Sequence, residues 1–169
     1  LNFDYLKNAL LLISKFQCVD KAIIQTACGF IFRFFPLEVT NLISYIPTQN
    51  LFVTYRNAFK YIYEFQDSEI VSSWCLVFLK IQNEILDNAK ELSFFKNFAF
   101  NALSFPEKYS EKSIKKLSLF ILHFVTKEKF FSFFEKFPEN LKYLVQIYIK
   151  SSSKELYEKF QFPEIIKET

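Results

Sequence analysis

One glycine, Gly29, in 169 residues is the strongest constraint on what this chain can build. Glycine is the default residue wherever the backbone needs positive φ or close approach to a ligand. A chain with one of them has almost no material for glycine-rich phosphate loops, type I′ hairpins or β-bulges. Nucleotide-binding motifs and multi-hairpin β folds are therefore excluded, and helices remain. Apolar residues recur at helical spacing through nearly the whole chain, most clearly as Leu51, Tyr55, Ala58, Phe59, Ile62 and Phe65. Similar stripes run through Phe3, Leu6, Leu10 and Ile13, and through Ile114, Leu117, Ile121, Phe124 and Val125. This is the period of an amphipathic helix, and no stretch alternates as a strand does.

Capping chemistry marks the helix boundaries. Asp20, Asp67, Ser110, Thr126 and Ser152 each precede an apolar-periodic run, and Ser152 with Glu155 has the spacing of a capping box. Four prolines sit in the similar motifs Phe35-Pro36-Leu37-Glu38, Phe105-Pro106-Glu107, Phe137-Pro138-Glu139 and Phe162-Pro163-Glu164. Proline suits the first helical position, glutamate suits the first turn, and the preceding phenylalanine can staple the entering chain to a neighbouring helix. These motifs read as helix starts. Breaks at these signals give about ten helices, paired near 1–35, 36–66, 67–105, 106–137 and 138–162. The segment from Ile70 to Ile85 is apolar nearly all round, the mark of a helix buried on several sides.

In period and helix pairing the chain resembles the HEAT and armadillo class of repeats. The resemblance implies an all-α α-solenoid in which antiparallel helical hairpins stack in right-handed succession. The alternative is a compact helical bundle of irregular topology. Either way, residues 1–169 form a single all-α domain or a segment of a longer solenoid. Trp74, Phe78, Ile81, Phe59, Ile62, Leu117 and Ile121 are expected among its buried residues. A chain that starts at Leu1 and contains no methionine is expected to be a piece of a longer protein, with further helices or a partner covering at least one end.

Phenylalanine (24) and lysine (19 against two arginines) dominate the composition. Their codons are AT-rich, so the phenylalanine excess reads first as the bias of an AT-rich genome at core positions that ask only for apolar volume. Cys18, Cys28 and Cys75 are odd in number, lack metal-type spacing and lie in apolar stretches. They favour a reducing, intracellular setting, cytoplasmic or nuclear. The uncharged stretch from Val39 to Tyr55 holds Pro47, Asn41, Asn50 and Gln49, which makes it costly in lipid. No membrane span is expected.

Catalytic constellations are missing from the sequence. The single histidine, His123, lies between Leu122 and Phe124 and reads as a packed or surface-edge residue. Asp67 and Glu69 read as cap and first-turn residues rather than an acid–base pair. There is no G-x-S-x-G, H-E-x-x-H, P-loop or C-x-x-C pattern. A non-enzyme without cofactor or metal is expected.

The net charge of +3 arises in the second half of the chain, and from Lys108 to Lys154 ten lysines face four glutamates. Two functional readings follow. In the first, the chain is a non-catalytic protein-protein interaction scaffold within a larger intracellular assembly. Its contacts would be Tyr55, Arg56, Tyr63, Phe131 and Tyr143, which combine aromatic area with polar tips. In the alternative, the basic half associates with RNA or a ribonucleoprotein through Lys112, Lys115, Lys116, Lys127, Lys129, Lys142 and Lys150. Scarcity of arginine counts against specific base reading. In the run from Phe130 to Phe137, Phe130, Phe133, Phe134 and Phe137 are expected on the core face and Phe131 on its flank.

Overall fold

Side chains that accept the first free amides of a helix decide where these helices begin. In the computed structural model, which describes residues 4, 5 and 8, 67–82 and 89–164, the Asp67 carboxylate accepts from the amides of Glu69 (3.0 Å) and Ile70 (3.2 Å). It opens α1, Ser68–Ile81. Helix α2 follows at Ala89–Ser104. Ser110 accepts from the Ser113 amide at 3.2 Å and opens α3, Glu111–Ile121. Thr126 does the same for Lys129 at 3.2 Å and opens α4, Lys127–Phe134. Helices α5, Glu139–Ser152, and α6, Lys154–Lys159, complete the described part. All regular structure among the described residues is helical. The helices fall as α1 and α2, α3 and α4, α5 and α6 into the last three pair windows read from the sequence. Apart from residues 4, 5 and 8, the first two windows lie outside the described residues.

Two boundary expectations are corrected. Pro106 opens only a three-residue 3₁₀ turn, Pro106–Lys108, because Tyr109 turns extended and the hydroxyl of Ser110 then supplies the α-helical cap. Phe105 is 46% exposed and lies under the ammonium of Lys108, 4.8 Å from the ring centre. At the last junction the cap is Ser153, not Ser152. Ser153 is the residue that leaves helical geometry, and its hydroxyl accepts from Leu156 at 3.3 Å while its own amide closes α5 on Ile149. Pro138 takes the N-cap position of α5 with Glu139 in its first turn.

The chain divides into two compact units, residues 1–94 and 95–169. In the first, α1 buries Val71, Ser72, Ser73, Trp74, Cys75, Val77 and Phe78, the all-round burial expected of its apolar sequence. In the second, Phe95, Ala99, Ala102 and Leu103 form the buried stripe of α2, and Phe95 meets Phe120 of α3 edge to face with centroids 6.1 Å apart. Helix α3 packs on α5, and α5 on α6. Leu117 and Ile121 are buried as expected; Phe59, Ile62 and the side chain of Ile81 lie outside the described residues. The 3₁₀ turn is tied to α2 by Asn101, which donates to the Tyr109 hydroxyl at 3.1 Å, and by the Phe98–Tyr109 ring contact at 6.0 Å.

Burial pushes the Cys75 thiol well above its usual pKa. Burial also raises Tyr148, against a smaller opposing effect of the Ser152 hydroxyl. In both cases folding favours the neutral form. The stability they contribute is complete below the unfolded-state pKa and is lost as pH rises through the folded value. Melts of the full chain are therefore expected to weaken from about pH 8.5 upward, by at most about 1.4 kcal/mol per pH unit from Cys75. Cys75→Ala should flatten the first part of that slope, and an unchanged slope would refute the assignment.

Candidate functional site

The second unit carries an open cleft of about 1320 Å³ between α4, α5 and the segment that follows α6. Helical spacing builds its walls. Helix α5 presents Glu139, Lys142, Tyr143 and Gln146, which share one face, and α4 presents Lys127, Glu128, Phe131 and Phe134. Gln161, Pro163 and Glu164 close the third side.

Phe162 holds that third side in place. Its ring stacks on Tyr157 (5.3 Å, 2°) and meets Phe130, Phe131 and Phe134 of α4 at 5.7, 5.3 and 5.7 Å. The ring thus fastens the chain to a neighbouring helix, whereas the helix start expected at Pro163 extends outside the described residues. The turn that delivers Phe162 passes through Gln161 at φ 52°, a left-handed position that usually falls to glycine at a helix end. A residue with a Cβ costs about 1–2 kcal/mol there. Partial compensation comes from the Gln161 side-chain oxygen, which accepts from Lys127 Nζ at 2.9 Å. Beneath the segment, Gln146 is only 5% exposed. Its amide donates to the Tyr157 hydroxyl at 3.2 Å and to the Pro163 carbonyl.

Of the contact residues read from the sequence, Phe131 and Tyr143 are brought into this one cleft. Tyr55, Arg56 and Tyr63 lie outside the described residues. Phe130, Phe134 and Phe137 are buried as expected, whereas Phe133 is only partly covered and stacks on Phe100 at 5.8 Å.

The seven lysines do not stand as a row of open cations. Lys115 pairs with Glu111 (3.7 Å) and lies over the Tyr148 ring (5.7 Å). Lys129 lies over Phe100 and Phe133 at 5.6 and 5.2 Å, and Lys150 over Tyr157 at 5.6 Å. Lys142 pairs with Glu139 at 3.0 Å and Lys127 holds Gln161; both line the cleft. Lys112 and Lys116 sit on α3, one exposed and one partly covered. These cation–π and ion-pair contacts are worth about 0.2–1 kcal/mol each at exposed sites, enough to orient the side chains without neutralising them.

His123 is exposed in the turn after α3, with Nδ1 donating to the Leu119 carbonyl at 3.0 Å. No carboxylate, thiol or hydroxyl of a described residue hydrogen-bonds to it. Asp67 serves as a helix cap. Among the described residues no cluster of histidine, cysteine, aspartate or glutamate has metal-site geometry, and no helix is long and apolar enough to cross a membrane.

The sequence reading missed Gln146, Gln161 and the glutamates of the cleft. Gln146 had a signal: it is a polar residue between Val145 and Ile149 on the buried stripe of α5. Glu128, Glu135 and Glu139 had no signal for the cleft, because the charge count from Lys108 to Lys154 is averaged over faces that point different ways, and Glu164 lies beyond that count. No protein-family model, curated protein or solved structure matches this chain.

Proposed function

We propose that this chain is a non-catalytic protein-protein interaction scaffold, a segment of a HEAT-like helical-repeat protein in a larger intracellular assembly, cytoplasmic or nuclear. The observation that carries the reading is the cleft, where aromatic side chains from two helices, Phe131 and Tyr143, share a concave surface with polar groups on its edges. Aromatic anchors inside a polar rim are the usual anatomy of protein recognition. The packing of α3 on α5, the first helices of successive pairs, supports a stack of hairpins, the architecture that generates extended concave surfaces.

Association with RNA has less support, since six of the seven lysines are engaged within the chain. Titration with an RNA oligonucleotide at two ionic strengths is expected to show weak binding. A steep fall of strong affinity with salt, the sign of counterion release, would favour RNA instead.

The scaffold reading is tested in native extract. The full-length protein should elute in a discrete complex with stoichiometric protein partners, and Phe131→Ala with Tyr143→Ala should release one of them. Elution as a lone monomer would overturn it.

A further inference from the structure

The cleft has a charge sign opposite to that of the surrounding sequence. Glu128, Glu135, Glu139 and Glu164 line it against Lys127 and Lys142. Lys142 is already paired with Glu139, and Lys127 donates to the neutral side-chain amide of Gln161 and keeps its charge, so three carboxylates face one ammonium in the lining. Glu128, Glu135 and Glu164 are exposed, and their carboxylates make no hydrogen bond or ion pair with another described residue. The floor between them carries Phe131 and Tyr143, both only partly covered. A chain with a net charge of +3 thus presents three unpaired carboxylates beside partly covered aromatic rings at this cleft. Its volume, about 1320 Å³, exceeds the roughly 300–1,000 Å³ typical of small-molecule pockets and suits a stretch of polypeptide.

We infer that this cleft receives a basic peptide segment, its lysine or arginine side chains set against Glu128, Glu135 and Glu164 and an apolar anchor seated on Phe131 and Tyr143. The inference rests on the scaffold reading and adds to it the chemistry of the partner. Charge complementarity selects the occupant: an RNA strand or an acidic peptide would bring its own negative charge against these carboxylates, and like-charge juxtaposition opposes binding. A basic segment finds electrostatic attraction at the rim and burial at the floor. The flexible stems of lysine can cover apolar surface while the ammonium reaches the rim.

The test uses the full chain and a fluorescent lysine–leucine peptide with one central tryptophan, beside a twin carrying glutamate at every lysine. Anisotropy should report binding of the basic peptide, weaker as salt rises, and none of the acidic twin. The combined variant Glu128→Gln, Glu135→Gln and Glu164→Gln, all at exposed positions and checked for native circular dichroism, should weaken binding about tenfold. Tyr143→Ala should weaken it as well, and Tyr143→Phe should restore it. Equal binding of the two peptides, an unchanged affinity in the triple glutamine variant, or tighter binding of a labelled RNA oligonucleotide titrated separately without the peptide would each overturn the inference. If the triple variant binds normally while Tyr143→Ala does not, the charge assignment fails and the scaffold reading survives. The scaffold reading itself falls only on the monomer result in native extract.

Discussion

Phe130→Ala is expected to destabilise residues 95–169 by about 3–5 kcal/mol, the range for truncating a fully buried phenylalanine. Phe130 is 0% exposed. Its ring meets Phe131, Phe134, Phe160 and Phe162 at 5.6, 5.7, 6.2 and 5.7 Å. The substitution removes the central member of that cluster and leaves a cavity whose walls belong to α4, the end of α6 and the segment beyond it. Rings fixed from several elements collapse poorly into a void, which places the cost toward the upper part of the range. Because the chain has two compact units, a single melting curve would mix their responses. Amide hydrogen exchange is the better measurement. Protection should fall across α4, α5 and α6 and stay unchanged in α1. Phe130→Leu should recover more than half of the loss, and uniform loss of protection in both units would refute the local account.

Phe162→Ala is expected to cost less stability, about 2–3 kcal/mol given its partial exposure, and to have the larger effect on binding. Phe162 is the clamp that seats residues 161–164 on α4 and on Tyr157. Without it, the Gln146 contacts to Tyr157 and Pro163 cannot hold the segment alone against the left-handed turn at Gln161. The third wall of the cleft then frees itself. Exchange of the amides of residues 161, 162 and 164 should rise to the rate of unfolded chain while α4 and α5 keep most of their protection. Binding of the lysine–leucine peptide should weaken about tenfold or more, as loss of a preorganised wall adds an ordering cost to association. Retention of full peptide affinity in a variant with a released segment would show that the cleft works with two walls.

Much of the helical framework was legible in the residues because the signals involved are local. Asp67, Ser110 and Thr126 cap the helices they precede, since a cap needs only a side-chain oxygen within reach of amides two or three positions on. Where two start signals competed, at Pro106 and Ser110 and at Ser152 and Ser153, the backbone dihedral of one residue chose between them, and sequence holds no record of that choice. The burial of Trp74, Phe78, Leu117 and Ile121 followed from period alone. Phe133 did not follow, because its neighbour Phe100 comes from a different helix pair.

The sequence by itself determined an all-α chain for the described residues: one glycine, helical apolar spacing and side-chain caps leave no other regular structure that satisfies the backbone. It also placed Phe131 on the flank of its helix and Tyr143 on the next. Tertiary structure alone decided that these two residues share a cleft, that Phe162 folds back to wall it, and that carboxylates surround it in the most basic part of the chain. Capping and periodicity act over a few residues, so they can be read along a string. The sign of a local field depends on which side chains meet across α4, α5 and residues 161–164, and that is set by packing between elements rather than by their order.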